Sequence, residues 1–158
     1  MRESLRSGLT RRIINLLPAY FGTGGRLTYV AQDWREVRLE VPLTLRTRNY
    51  VGTIFGGSMY GAVDPVYMVM LIKNLGPDYD VWDKSATIRF KRPGRTTLHA
   101  RFLLSDDELR SIEAALATAK SVDRVYQVEL TDSRGVVHAV VEKTVYVAKR
   151  NARRETAA

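Results

Sequence analysis

The segment from Asn49 to Asp64 (Asn-Tyr-Val-Gly-Thr-Ile-Phe-Gly-Gly-Ser-Met-Tyr-Gly-Ala-Val-Asp) carries the residues best suited to chemistry. Gly56 and Gly57 stand where an apolar helix begins. The first backbone N–H groups of a helix have no intrahelical partner, and the macrodipole adds partial positive charge, so an oxyanion or carbonyl oxygen is stabilised there. Glycines also let a ligand come close to the backbone. Asp64 follows about two turns later in a run otherwise rich in Met, Val, Leu and Ile. A carboxylate in so apolar a segment is costly unless it is paired, hydrated or used. Pro65 lacks the N–H that would bond the Gly61 carbonyl, and its ring crowds the same turn, so the helix should kink beside Asp64. Two readings of Asp64 stand level: a reactive carboxylate, or the N-cap of a second helical segment that opens with Pro65.

The placing of Asn49, Gly52, Gly56, Gly57 and Asp64 resembles the motif N-x-x-G-x-x-H-G-G, followed seven residues later by Asp, of hotdog-fold acyl-CoA thioesterases of the phenylacetate-pathway type. The Phe55-Gly56-Gly57-Ser58 start is similar in particular to an uncharacterised branch of that superfamily. The resemblance implies Asp64 as general base or nucleophile, the Gly57 N–H as oxyanion donor, and Asn49 as the group that positions a carbonyl or water. Gly52, Phe55, Gly56 and Ser58 would border the substrate. It implies no cofactor, an acyl-CoA being substrate or ligand, and no metal. It also implies a homodimer or a dimer of dimers in which the sheet continues between copies, with Asp64 facing Asn49 and Gly57 of a partner chain. One position departs from the motif: Phe55 stands where the family has His. A phenyl ring cannot donate a hydrogen bond to a thioester or orient a water. A thiolate is a good leaving group, so hydrolysis still needs only an activated water or carboxylate nucleophile and an oxyanion site.

Three functions follow from these residues. The first is hydrolysis of acyl-CoA or a related acyl thioester. The second, suggested by Phe55, is a non-catalytic module that binds acyl-CoA or fatty-acyl groups. The third, nucleic-acid binding, rests on charge alone, and no zinc finger, recognition helix or aromatic-interleaved basic strand accompanies it, so no nucleic acid is expected. Arg89, Lys91, Arg92 and Arg95 surround the Pro93-Gly94 turn and suit the phosphates of coenzyme A. A solvated strand face is the plainer account of them. Thr53 and Ser58 suit loop or capping hydrogen bonds, and Tyr60, Tyr67 and Trp82 suit either an acyl pocket or plain core.

The elements that must position this segment can be read from periodicity. Residues 2–17 place Leu5, Leu9, Ile13, Leu16 and Leu17 on one helical face, which is expected to pack on the domain rather than serve as a transit peptide or membrane-surface helix. Pro18 should stop this helix, and Gly22, Gly24 and Gly25 mark a loop. Strands are expected over 27–32 and 37–43, then a core helix over 58–75 closed by Gly76-Pro77. Alternation resumes from Lys84, with Ala86, Ile88 and Phe90 on one face, and Leu98, Ala100, Phe102 and Leu104 form the inner face of the next strand. Ser105 to Glu108 has the pattern of a capping box that opens a helix bearing Leu109, Ile112 and Leu116. Strands over 125–131 and 136–147 finish the domain. Strands outnumber helices and their connections are too short for parallel crossovers. The fold class is therefore α+β, an antiparallel sheet wrapped on a helix that is apolar nearly all round, which suits a hotdog.

Composition bounds the rest. The chain has 158 residues with 45% hydrophobic and 27% charged, the profile of one globular domain, read as 1–148 with a basic tail over 149–158. It has no Cys, which excludes disulfide scaffolds, thiol nucleophiles and iron–sulfur clusters, and its two His, His99 and His138, are too few for a His-rich metal site. Lys and Arg number 25 against 17 Asp and Glu, a net charge of +8 compatible with a polyanionic partner. The apolar run from Ser58 contains Asp64, Pro65 and Lys73, so no transmembrane segment is expected, and the location is read as cytoplasmic.

Overall fold

Alternating inward apolar residues, rather than any one helix, organise the chain. The computed structural model describes residues 2–150. Helices α1 (Leu5–Leu16) and α2 (Pro18–Thr23) precede strands β1 (Arg26–Val30) and β2 (Glu36–Val41). Helices α3 (Gly56–Val63) and α4 (Val66–Leu75) lead to β3 (Tyr79–Phe90) and β4 (Leu98–Leu103). Helix α5 (Asp106–Thr118) then precedes β5 (Ser121–Thr131) and β6 (Val137–Lys149). The six strands form one antiparallel sheet in the order β1-β2-β4-β5-β6-β3. Helix α3 packs on β2 and β6, and α4 on β3, so the sheet curves around the α3–α4 pair.

The strand patterns explain which face turns inward. On β4, Leu98, Ala100 and Phe102 are buried, and Leu104 continues the row. On β6 the inward row is Ala139, Val141, Lys143, Val145 and Val147. Met59, Ala62, Val63, Val66, Met70 and Leu71 meet these rows from the helices. Ile112 and Leu116 carry α5 onto the same core, as the spacing predicts. Its capping box is half formed. The Ser105 hydroxyl accepts the Glu108 N–H at 3.1 Å, but the Glu108 carboxylate turns to Arg124 at 2.9 Å and Tyr126 at 2.8 Å.

Four expectations are corrected. The core helix breaks at Asp64-Pro65 as the sequence predicts, but Asp64 does not cap its second half: Pro65 is the N-cap of α4 and no side chain makes a cap bond there. Other donors fill the gap that Pro65 opens: the Tyr20 hydroxyl reaches the Ala62 carbonyl at 3.1 Å, and Lys143 Nζ the Asp64 carbonyl at 2.5 Å. The N-terminal helix does not pack its Leu/Ile stripe on the domain. Ser7 is its buried residue, while Leu5, Leu9, Ile13 and Leu16 face outward. Pro18 begins α2 instead of leading into a loop, because its missing N–H is harmless at a helix's first position. Finally, Lys149 ends β6 and the Arg150 N–H bonds the Asp78 carbonyl at 2.9 Å, so the expected tail does not start at 149. The rest of that stretch, with Arg153 and Arg154, lies outside the described residues.

Candidate active site

Asp64 lies at the α3–α4 break, still in helical conformation and with its N–H bonded to the Tyr60 carbonyl at 2.9 Å. Its Oδ1 accepts two hydrogen bonds, from the Tyr60 hydroxyl at 2.7 Å and from Lys143 Nζ at 2.6 Å. Lys143 Nζ also bonds the Asp64 carbonyl at 2.5 Å and Asp83 Oδ2 at 2.7 Å. Three oxygens therefore take the three protons of one ammonium. Lys143 is 1% exposed, whereas the Asp64 side chain keeps 38% of its surface. Asp64 Oδ2 has no hydrogen-bond partner among the described residues. It is the oxygen left for chemistry.

Of the three residues that join Asp64 in this cluster, only Tyr60 is near it in sequence, one helical turn earlier. Lys143 comes from the inward row of β6, and Asp83 from β3, beside a register shift between Asp83 and Ser85 of the kind that re-aims a side chain. Burial pushes the Asp83 carboxyl above its ordinary range, against the Lys143 ammonium, which pulls it down. Its Oδ1 is buried without a partner. Burial, then the hydrogen bond to Asp64, pushes the Tyr60 hydroxyl up to about 12. Tyr60 is thus a hydrogen-bond donor to Asp64 across the working pH range. The sequence did hold a signal for Lys143: it is the one charged residue in a row of Ala and Val with period two.

Asp64 also borders a half-open cavity of about 430 Å³ lined from helices α1 to α4, with Leu27 of β1, Trp34 and Val37 of β2 completing it. Ile14, Leu17, Tyr20, Val37, Val66 and Val69 make its lining apolar. A volume in this range suits a small ligand, and an apolar wall with one carboxylate suits a hydrocarbon chain that ends in a reacting group.

The remaining motif residues gather elsewhere. Asn49, Thr53, Gly56, Phe90, Lys91 and Arg92 line a second cavity of about 330 Å³. Asn49 staples its own loop, its Oδ1 accepting the Val51 and Thr53 N–H groups and its Nδ2 donating to Thr53 Oγ1 at 2.9 Å. Gly52 takes φ +82°, the left-handed region that favours glycine, and so lets this loop turn. Ser58 is buried, and its N–H, like that of Met59, donates to the Phe55 carbonyl. Arg89 and Arg95 are exposed and do not line this second cavity.

The two motif glycines are occupied from within. A Cβ on Gly57 would stand 2.2 Å from the Phe55 ring, and one on Gly56 would stand 2.6 Å from the Phe90 ring. Both rings are more than half exposed. These two rings fill the space that a side chain would need at either glycine, while Gly56 still borders the second cavity. Along one chain Gly57 and Asp64 are seven residues apart, about 10 Å of helix rise. One thioester carbonyl cannot touch both groups of the same chain.

Comparison with known proteins places this architecture. No curated protein matches the chain. Among solved structures, a Pseudomonas aeruginosa protein of unknown function, named a probable thioesterase, superposes with a TM-score of 0.80 at 19% identity, covering 95% of this chain and 100% of that one. A Chlorobaculum tepidum protein of unknown function gives 0.72 at 14% identity, covering 92% and 95%. A thioesterase from Haemophilus influenzae gives 0.65 at 13% identity, covering 94% and 93%. The fold is that of the hotdog thioesterase structures. Residues 7–147 match the family model described as a domain of unknown function, DUF4442, and the chain belongs to that family.

Proposed function

We propose that the protein hydrolyses acyl thioesters, with acyl-CoA as the substrate class. The observation that carries this reading is the free Oδ2 of Asp64, held at the edge of an apolar cavity by Lys143 and Tyr60. Asp64 takes a proton from water as the water oxygen adds to the thioester carbonyl. The carbonyl oxygen becomes an oxyanion, and its collapse breaks the C–S bond to release a carboxylic acid and the thiol. Alternatively Asp64 adds directly, and water then opens the resulting anhydride. Since Gly57 and Asp64 of one chain are too far apart, the oxyanion donor is the Gly57 N–H of a second copy, in a homodimer or dimer of dimers. Lys91 and Arg92, in the same cavity as Asn49 and Gly56, take the phosphates of coenzyme A. A coenzyme A carrier fits a cytoplasmic setting.

A second reading, an acyl-CoA binding protein without turnover, is favoured by Phe55, whose ring lies over Gly57. Thiol release from short, medium, long-chain and aromatic acyl-CoAs separates the two. Release by the parent chain and none by Asp64→Asn supports hydrolysis. Saturable binding without release supports the binding module, and release by the variant as fast as by the parent removes Asp64 from the mechanism.

A further inference from the structure

The outward face of α1 has no partner in the fold. Leu5 is 96% exposed and Leu16 73%, with Leu9 and Ile13 between them on the same face. At about 100° per residue these four fall within a quarter-turn of one another, and Arg6 and Arg12 flank them on either side. Helix α2 adds the half-exposed Phe21, and Arg46, from the segment between β2 and α3, sets its guanidinium 3.9 Å from the centre of the Phe21 ring, next to the exposed Leu45. Arg2, Arg6, Arg12 and Arg46 are exposed and enter no carboxylate pair among the described residues. Glu3, the nearby carboxylate, is already taken by Arg11 at 2.8 Å.

We propose that this face docks on an anionic lipid surface. An apolar stripe bordered by arginines is the arrangement of a helix that lies in the plane of a membrane. The leucines enter the acyl region, and the long basic side chains reach the headgroups. No described helix is long and apolar enough to cross a bilayer, so the contact is interfacial. Charge selects lipid over a second copy of the chain: bringing two copies of this face together would oppose arginines to arginines. The cavity supplies an independent argument. Leu17 is half exposed in the patch and also lines the apolar cavity beneath it, so the docked surface borders a space of hydrocarbon character. This inference does not rest on the hydrolytic reading.

The test uses the full chain and sedimentation with two kinds of vesicle, phosphatidylcholine alone and equimolar phosphatidylcholine and phosphatidylglycerol. Light scattering and thermal melts accompany it. The parent should bind the anionic vesicles, weakly bind the neutral ones, and lose binding as salt is raised. Arg6→Gln with Arg12→Gln should weaken binding about 25-fold, taking each basic residue near such a surface as about fivefold. Leu9→Gln with Ile13→Gln should abolish it. Both pairs are exposed, so their melting temperatures should match the parent. Equal binding to neutral vesicles would overturn the anion requirement. No vesicle binding, or a larger oligomer that the Leu9/Ile13 variant dissolves in the absence of lipid, would overturn the proposal, the latter in favour of a second copy.

Discussion

Replacing Lys143 by Met removes the ammonium and keeps most of the volume of the side chain. The structure sets the magnitude. Two carboxylates share that ammonium, Asp83 with 20% of its side chain exposed and Asp64 with 38%. Removing one partner of a buried pair costs about 3–5 kcal/mol, since the remaining charge is stranded in a medium that solvates it poorly. Asp64 can rehydrate and contributes less, so the lower end, about 3 kcal/mol, is expected. For a chain of this size that lowers Tm by about 6–12 °C. The sharper part of the prediction is which second substitution restores stability. Asp83 already has a buried, unpartnered Oδ1, so Asp83→Asn in the Lys143→Met background should recover more than Asp64→Asn does. Asp83 also carries a pH signature. Its raised value means that its contribution to stability is present below the unfolded value of 3.8 and is lost as pH rises through the folded value. Without Lys143 that folded value should rise further, which a carboxyl carbon NMR titration reads directly. Urea denaturation of the four chains at several pH values measures the energies. A loss below about 1 kcal/mol, the range of exposed pairs, would refute the reasoning. So would better rescue from Asp64→Asn than from Asp83→Asn.

Two further outcomes follow from packing and from the last hairpin. Gly25→Ala places a Cβ 2.4 Å from that of Ala62 on α3, with the Ala62 Cα at 3.4 Å, so chain and helix must separate and stability should fall by about 1–3 kcal/mol in urea denaturation. Asp132 accepts the Val136 and Arg134 N–H groups at 3.0 and 2.9 Å, and these bonds, Val136 first, hold its carboxyl down to about 2. Its contribution to stability is present above the unfolded value of 3.8 and is lost as pH falls through about 2. Asp132→Asn should flatten that acid limb of the stability profile, and an unchanged limb would show that these bonds do not form.

Much of this molecule is legible in its sequence because period and punctuation are local properties. The alternation over β4, the apolar side of α5 and the break at Asp64-Pro65 each depend on residues within a few positions of one another, and the structure reproduces them. The motif glycines were legible as a helix start, but the rings that fill the space over them were not: Phe55 is adjacent, yet Phe90 arrives from β3. The partner of Asp64 was hidden for the same reason. Lys143 lies 79 residues away, and only the order β6-β3 in the sheet and the crossing of α3 over β6 bring its Nζ to the carboxylate. The α1 stripe shows the converse limit. Amphipathic spacing establishes that Leu5, Leu9, Ile13 and Leu16 share a face, but which side of the helix meets the domain depends on Ser7, Ile14 and the Asn15 amide that bonds Leu27. Sequence spacing determined which residues travel together. Tertiary structure decided what each group meets, because burial and charge pairing depend on neighbours that are close in space and distant along the chain.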